Sequence, residues 1–194
     1  MKKKNLYKEK IILTNNNIEE IYQNIPKIIK KYQKKHQIEL IYKEEIKEIE
    51  KKTEIEEIIH AINIKDRRKR YTYIYDTICD KLDKSQTYCR FQNGLCDKYR
   101  HKNLSHCNGC CETSKGEKCK YLGKNGCQIK CISCKFFICD YLKKEDKKRV
   151  KNPNSFLLSK YFFNLEQKMI LLFTFFTTEE EIIDKLTRAK FKKS

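Results

Sequence analysis

The feature that most constrains this chain is a short segment in its middle that holds most of its cysteines. Eight of the eleven cysteines lie between Cys107 and Cys139, in the segment CNGCCETSKGEKCKYLGKNGCQIKCISCKFFIC. A segment so rich in turns and so poor in apolar residues needs bound ions or covalent cross-links to hold a fold. We therefore interpret the rest of the chain as a scaffold for this segment.

The thiols of this segment are predicted to bind metal rather than to form disulfides. The N-terminus begins with lysines, but its only early apolar run covers residues 11–13, which is too short for an export signal. Charged residues interrupt the apolar stretch 156–176, so we predict a core helix there and no membrane span. A cytoplasmic protein keeps its thiols reduced, and densely spaced reduced thiols are typical metal ligands.

Two cysteine pairs have the spacing of zinc-binding hooks. Cys107 and Cys110 enclose two residues, as do Cys131 and Cys134, and twenty residues separate the two pairs. This spacing fits a four-cysteine zinc site with sulfurs about 2.3 Å from the ion. The remaining cysteines of the segment would supply a second set: Cys111, Cys119, Cys127 and Cys139. A division in chain order, 107/110/111/119 against 127/131/134/139, is geometrically possible too.

Adjacent cysteines indicate two zinc ions rather than one. Neighbouring side chains in extended backbone point to opposite sides, so Cys110 and Cys111 are predicted to belong to different centres. Further candidate ligands, for a third centre, lie upstream: Cys89, Cys96, His101 and His106. Cys79, by contrast, falls on a helical stripe and is interpreted as a small packed side chain.

The cysteine segment also resembles a known family. The likeness rests on Cys107-x2-Cys110-Cys111, Cys119-Lys-Tyr-Leu122 and Gly126-Cys127-Gln-Ile129, followed by Cys134-Lys-Phe136 and Cys139. These matches are similar to the zinc- or iron-chelating proteins named for their CxxCxxCC motif, although Leu104 stands at the place of the first cysteine. The resemblance covers about a sixth of the chain. It implies a bound metal and no defined cellular role.

An all-thiolate ligand set suits both zinc and iron–sulfur clusters. Zinc is favoured because separated C-x2-C hooks follow the structural zinc pattern, whereas the ferredoxin run C-x2-C-x2-C is absent from the sequence. The predicted function is therefore a binding or adaptor protein whose structural Zn²⁺ presents a surface to a protein partner. The alternative is an iron–sulfur or iron-chelating redox protein or enzyme subunit. Catalysis is not expected, because a catalytic zinc keeps an open position.

Helical patterns flank the cysteine segment on both sides. Apolar residues recur at intervals of three and four from Ile38 to Ile62 and from Tyr71 to Leu82, which predicts amphipathic helices. Capping boxes are predicted at Asn17 and Thr178, and a short strand at residues 11–14. A helix after the cysteine segment is predicted to have one apolar face: Leu158, Phe162, Leu165, Met169, Leu172 and Phe176.

The glycines mark where the helices stop. All five lie between Gly94 and Gly126, so the middle of the chain is expected to consist of turns. The predicted fold is mainly α, with a helical region at 1–85, a cysteine-rich metal-binding module at 86–140 and C-terminal helices at 141–194, packed as one domain. At 39% hydrophobic residues the chain can supply the core that such a domain requires.

The strong positive charge raises the alternative of a nucleic-acid binder. The formal net charge is +18, but 37 of the 44 basic residues are lysines, and phosphate-binding surfaces favour arginine. The arginines cluster only in the run KDRRKR at 65–70. We expect any nucleic-acid binding to be weak, insensitive to sequence and sensitive to salt, with Arg67, Arg68 and Arg70 contributing most.

Overall fold

Helices dominate the parts of the chain that the structure, a computed structural model, describes. These parts are residues 9–32, 37–85, 120–123, 126–127, 130–136 and 153–189, with the backbone alone at 85, 122, 123, 126 and 127. The mainly α fold predicted from the sequence is confirmed. In chain order the elements are β1 (Glu9–Leu13), α1 (Ile18–Gln23), α2 (Ile25–Tyr32), β2 (Ile38–Tyr42), α3 (Ile49–Asn63), α4 (Arg67–Ser85), β3 (Leu122–Gly123), β4 (Gly126–Cys127), α5 (Ile132–Phe136), a 3-10 turn (Pro153–Ser155), α6 (Leu157–Phe162), α7 (Leu165–Phe173) and α8 (Glu179–Arg188).

A small parallel sheet joins residues 9–13 to the segment before α3. β1 confirms the short strand predicted there, and it pairs with β2 so that Ile11 lies opposite Leu40. The helix predicted from Ile38 onwards is wrong over β2, although it is confirmed over α3. Spacings of three and four at Ile38, Ile41 and Tyr42 also fit a strand, and the pairing with β1 decides between the two.

Two asparagine side chains bond the outer edges of this sheet. The Ile38 N–H donates to Asn63 Oδ1 at 2.9 Å, and Asn63 Nδ2 donates to the Ile38 carbonyl at 2.8 Å. On the other strand, Asn17 Nδ2 donates to the Ile12 carbonyl at 2.9 Å, and Asn17 Oδ1 accepts from the Thr14 N–H at 2.8 Å. Because its amide serves the strand end, Asn17 makes no side-chain cap for α1, and the capping box predicted there is wrong.

Helix α4 is the central element of the core. The stripe predicted on it is confirmed, since each of its members is at most 3% exposed: Tyr71, Ile74, Tyr75, Ile78 and Leu82. One hydrophobic cluster joins α4 to residues of α3, α5, α6, α7 and α8. The short helix α5 of the cysteine segment is part of this cluster, because Ile132 is fully buried and Phe136 is 8% exposed.

The apolar stretch after residue 156 forms two helices with different buried faces. Phe163 is extended (φ −107°, ψ 132°), and Asn164 begins α7 with a capping box to Gln167. This break rotates the buried face. Leu158 and Phe162 remain in the core, but Leu165 is 77% exposed. The single face predicted for this stretch is therefore wrong at Leu165, Met169 and Phe176, which are exposed, whereas Leu172 is partly buried against the core as predicted.

The last helix begins where the sequence predicts. Thr178 Oγ1 accepts from the Glu181 N–H, and the Glu181 side chain accepts from the Thr178 N–H, so the predicted capping box is confirmed. The core-facing residues of α8 are Ile182, Ile183 and Leu186. None of the described helices has both the length and the apolar content that a bilayer crossing requires.

Candidate metal centre

The second predicted hook lies in the hydrophobic core. Cys131 directly precedes α5 and Cys134 lies within it. The two cysteines are 0% and 6% exposed. Helix α5 packs between α4 and α7, so both sulfurs face the interior of the helical scaffold. Two thiols enclosing two residues in a buried turn are a suitable pair of soft ligands for one metal ion.

Helix α4 holds the hook from one side through the buried hydroxyl of Tyr75. This hydroxyl donates to the Lys130 carbonyl at 2.8 Å and accepts from the Ile132 N–H at 3.1 Å, so it bonds the main chain on both sides of Cys131.

Two ion pairs to α4 lie at the ends of the segment 130–136. Lys130 Nζ is 2.8 Å from Asp76 Oδ1, and Lys135 pairs with Asp83.

Helix α7 and the loop after it hold the hook from the other side. Ser133 Oγ donates to the Leu171 carbonyl at 2.6 Å, which joins α5 to α7. The Cys131 thiol donates to the Thr174 carbonyl at 3.2 Å, and the Phe176 N–H donates to Cys134 Sγ at 3.4 Å. Phe176 has a φ of 55°, a left-handed conformation uncommon for a residue with a bulky side chain.

Most hydrogen bonds that reach the Cys131 sulfur favour its thiolate form, although donation to the Thr174 carbonyl favours the thiol. Its pKa falls to about 6, chiefly because the Cys134 side chain hydrogen bonds to its sulfur. Backbone N–H groups of Cys134, Thr177 and Phe176 lower it further, whereas burial acts in the opposite direction. A thiol that ionises easily in a buried turn has the chemistry of a metal ligand, because the thiolate is the form that binds metal.

Cys79 provides the opposite case on α4. It is fully buried in the core, and burial raises the pKa of its thiol to about 12. The interpretation of Cys79 as a packed side chain is confirmed.

Most of the other predicted ligands lie outside the described residues. These are Cys89, Cys96, His101, His106, Cys107, Cys110, Cys111, Cys119 and Cys139, together with the prediction that Cys110 and Cys111 serve different centres. Cys127 is described by its backbone alone, paired with Leu122 in the β3–β4 hairpin. Within the described ranges, no three side chains of His, Cys, Asp or Glu come together as a metal-binding group. The hook would supply two of the predicted ligands.

The hairpin that carries Cys127 begins beside the loop that holds the hook. Tyr121, which directly precedes β3, donates its hydroxyl to the Phe176 carbonyl at 3.4 Å. Cys119 is two residues before this tyrosine in the sequence, and Cys127 is six residues after it.

The arginine cluster takes part in intramolecular contacts. Arg67 Nη2 donates to the Ala189 carbonyl at 2.8 Å, and Arg68 pairs with Asp184, so both join α4 to α8 or the residue that follows it. Arg70 donates to the Ile64 carbonyl through Nε at 2.9 Å and Nη2 at 2.6 Å. The structure thus gives these arginines a role within the fold, and their contribution to nucleic-acid binding stays a prediction.

Sequence reasoning did not find the residues that hold the hook. Tyr75 fits the apolar stripe of α4, and nothing in its spacing indicates that its hydroxyl meets the main chain 55 residues later. The loop at 174–177 carries no cysteine or glycine that would have marked it. The chain matches no protein-family model, no curated protein and no solved structure.

Proposed function

We propose that this chain binds structural zinc through Cys131 and Cys134, and that the other cysteines of the segment 107–139 complete the coordination. The ligands would be the eight predicted cysteines, arranged around two Zn²⁺ ions. An ion closed by four thiolates has no open position for a substrate. We therefore propose a binding or adaptor role rather than catalysis.

The observation that supports this proposal is the environment of the hook. Cys131 and Cys134 are buried together, hydrogen bond to each other and face backbone N–H groups of the loop at 174–177. Hydrogen bonds from N–H groups stabilise negative charge on sulfur, and a bound metal ion would complete its neutralisation.

The surrounding scaffold supports a structural role for the metal. Tyr75 and Ser133 join the hook to α4 and α7, and both helices contribute to the single core cluster. A metal bound here would link the remaining cysteines to the core of the protein. Such a link stabilises a segment that lacks apolar mass of its own.

Metal analysis of the purified protein tests the proposal. Wild-type protein purified anaerobically without added metal is expected to contain about two zinc ions per chain, the number that eight thiolates can close. The double variant Cys131→Ala/Cys134→Ala is expected to lose at least one of them. The matched control is Cys79→Ala, which removes a buried cysteine that lies outside the hook and should keep the full metal content.

Two results would contradict structural zinc. If the purified wild-type protein is folded but contains no metal, the proposed zinc binding is wrong. Brown protein that contains iron and labile sulfide would replace zinc by an iron–sulfur cluster, for which the same thiolates are suitable.

A further inference from the structure

We propose that Tyr75 is a positioning residue of the metal site, which rests on the proposed function of the hook. Its hydroxyl bonds the Lys130 carbonyl and the Ile132 N–H, and thereby fixes the main chain around Cys131. Tyr75 itself would not be a ligand, because its hydroxyl bonds the main chain. It acts through the backbone of the ligand.

The burial of Tyr75 shows why this hydroxyl is a reliable anchor. The residue is 0% exposed and lies on the core face of α4, and burial raises the pKa of its hydroxyl far above the ordinary value. A hydroxyl that stays protonated donates to one peptide group and accepts from the other at the same time. A buried peptide group that loses its partner pays the full cost of its desolvation, so the bonds hold the segment firmly.

The two bonds set the direction of the Cys131 side chain. They fix the carbonyl before Cys131 and the N–H after it, and these groups define the orientation of the two peptide planes that flank its Cα. The remaining anchors act further along the hook, because Ser133 bonds Leu171 and the Phe176 N–H bonds Cys134. Tyr75 alone among these described contacts acts on both sides of the first ligand.

This arrangement means that half of the metal site is assembled before metal binds. The hook segment 130–136 bonds side chains and main chain of the helical core at several points. Preorganised ligands lose less conformational freedom on binding, so metal affinity depends on the anchor. Loss of an outer-shell partner of a metal ligand typically costs about 10- to 100-fold in affinity.

The variant that tests the inference is Tyr75→Phe, which removes the hydroxyl and keeps the ring. Cobalt(II) and zinc affinities are measured by competition with chelators of known strength, and thiolate-bound cobalt reports the ligand set by its absorption. We expect metal affinity to fall about 10- to 100-fold. The matched control is Tyr71→Phe, one turn earlier on α4, where the buried tyrosine hydroxyl accepts from Arg67 Nε at 3.2 Å.

The outcomes separate this inference from the proposed function. If wild-type protein binds no metal ion, the proposed function fails and Tyr75 has no site to position. If wild type binds metal and Tyr75→Phe binds it with unchanged affinity, only the positioning role is wrong. Equal losses in Tyr75→Phe and Tyr71→Phe would also overturn it, because they would indicate a general loss of stability.

A measurement on the wild-type protein keeps the inference testable if Tyr75→Phe does not fold. The Ile132 N–H is expected to exchange with solvent as slowly as the core amides of α4, both with metal and after its removal by chelator, because its acceptor is the buried hydroxyl. Rapid exchange of this amide in the metal-free protein would overturn the preassembled hook.

Discussion

Among the described residues, cysteine is buried in two environments that differ in what surrounds the sulfur. Cys79 on α4 and Cys131 at the start of the hook are both 0% exposed. The pKa of Cys79 rises to about 12, whereas that of Cys131 falls to about 6. Burial acts in the same direction at both. The difference comes from the side chain of Cys134 and the backbone N–H groups directed at Cys131.

This difference teaches that burial alone does not identify a structural cysteine. On α4 the backbone N–H groups are used by the helix, so Cys79 packs as a small apolar side chain. Cys131 lies where a short helix begins and a loop turns its N–H groups inward. At this position backbone N–H groups can donate hydrogen bonds to the Cys131 sulfur. These bonds make Cys131 a suitable metal ligand.

The largest difference between the two cysteines is expected in their reactivity. In folded protein stripped of metal, Cys131 should react with iodoacetamide near neutral pH much faster than Cys79. The thiolate is the reactive form. Both cysteines are buried, and reaching Cys131 requires opening of the five-residue helix α5, whereas reaching Cys79 requires opening of the nineteen-residue α4. Pulsed labelling and peptide mass spectrometry measure both rates. As the control, both cysteines should react with iodoacetamide at similar rates in concentrated guanidinium, where the protein is unfolded. Similar rates for the two cysteines in the folded protein would contradict the predicted difference.

A smaller effect is expected in the alkaline stability of the protein. The pKa of Cys79 is about 12 in the folded protein against 9.0 for an ordinary thiol, so its contribution to stability is present below pH 9 and is lost as pH rises towards 12. Within this window the free energy of unfolding should fall about 1.4 kcal/mol more per pH unit in wild type than in Cys79→Ala. Urea unfolding at several pH values compares the two. If the free energies of unfolding of the two proteins change in parallel with pH, burial does not keep Cys79 protonated in the folded protein.

A further test addresses the loop that directs N–H groups at the hook. Because Phe176 has a positive φ, Phe176→Val should be about 1 kcal/mol less stable than Phe176→Asn, since asparagine tolerates this conformation and a β-branched residue does not. The control is the same pair of substitutions at Phe173, which is exposed on α7, where valine and asparagine have similar helix propensities. Equal differences at both positions would remove the conformational argument.

The smallest effect is expected away from both cysteines. Arg68 pairs with Asp184 between α4 and α8, and both side chains are more than one third exposed. Arg68→Gln should therefore leave the free energy of unfolding almost unchanged and leave both cysteine labelling rates unchanged, because solvent screens exposed ion pairs. Chemical denaturation and the same labelling experiment measure these effects. A large change in either would show that the surface between α4 and α8 influences the core around the hook.

Local patterns predicted the parts of the fold that local physics determines. The stripe of α4 from Tyr71 to Leu82 and the capping box at Thr178 both depend on residues within a few positions of each other, and both are confirmed. β2 was mistaken for helix because its strand character depends on β1, which lies about 29 residues earlier. The break at Phe163 and Asn164 was missed since both neighbouring stretches are apolar.

The candidate site was predictable only as a list of ligands. The spacing of Cys131 and Cys134 marked the hook. The residues that hold it come from α4, α7 and the loop at 174–177, which are distant in sequence. Contacts of this kind leave no periodic pattern, because each is a single hydrogen bond between a side chain and a remote peptide group.

The asparagines at the edges of the small sheet have a consequence for the behaviour of the protein in concentrated solution. Edge strands offer unpaired peptide groups on which another chain can add a strand, and this is a common origin of aggregates. The bond from the Glu9 N–H to the Gln37 carbonyl shows that Ile38 turns its own peptide groups outwards, where Asn63 occupies both. Asn17 occupies the Ile12 carbonyl on the opposite edge. Each amide occupies part of a strand edge, so another chain finds fewer peptide groups there on which to add a strand.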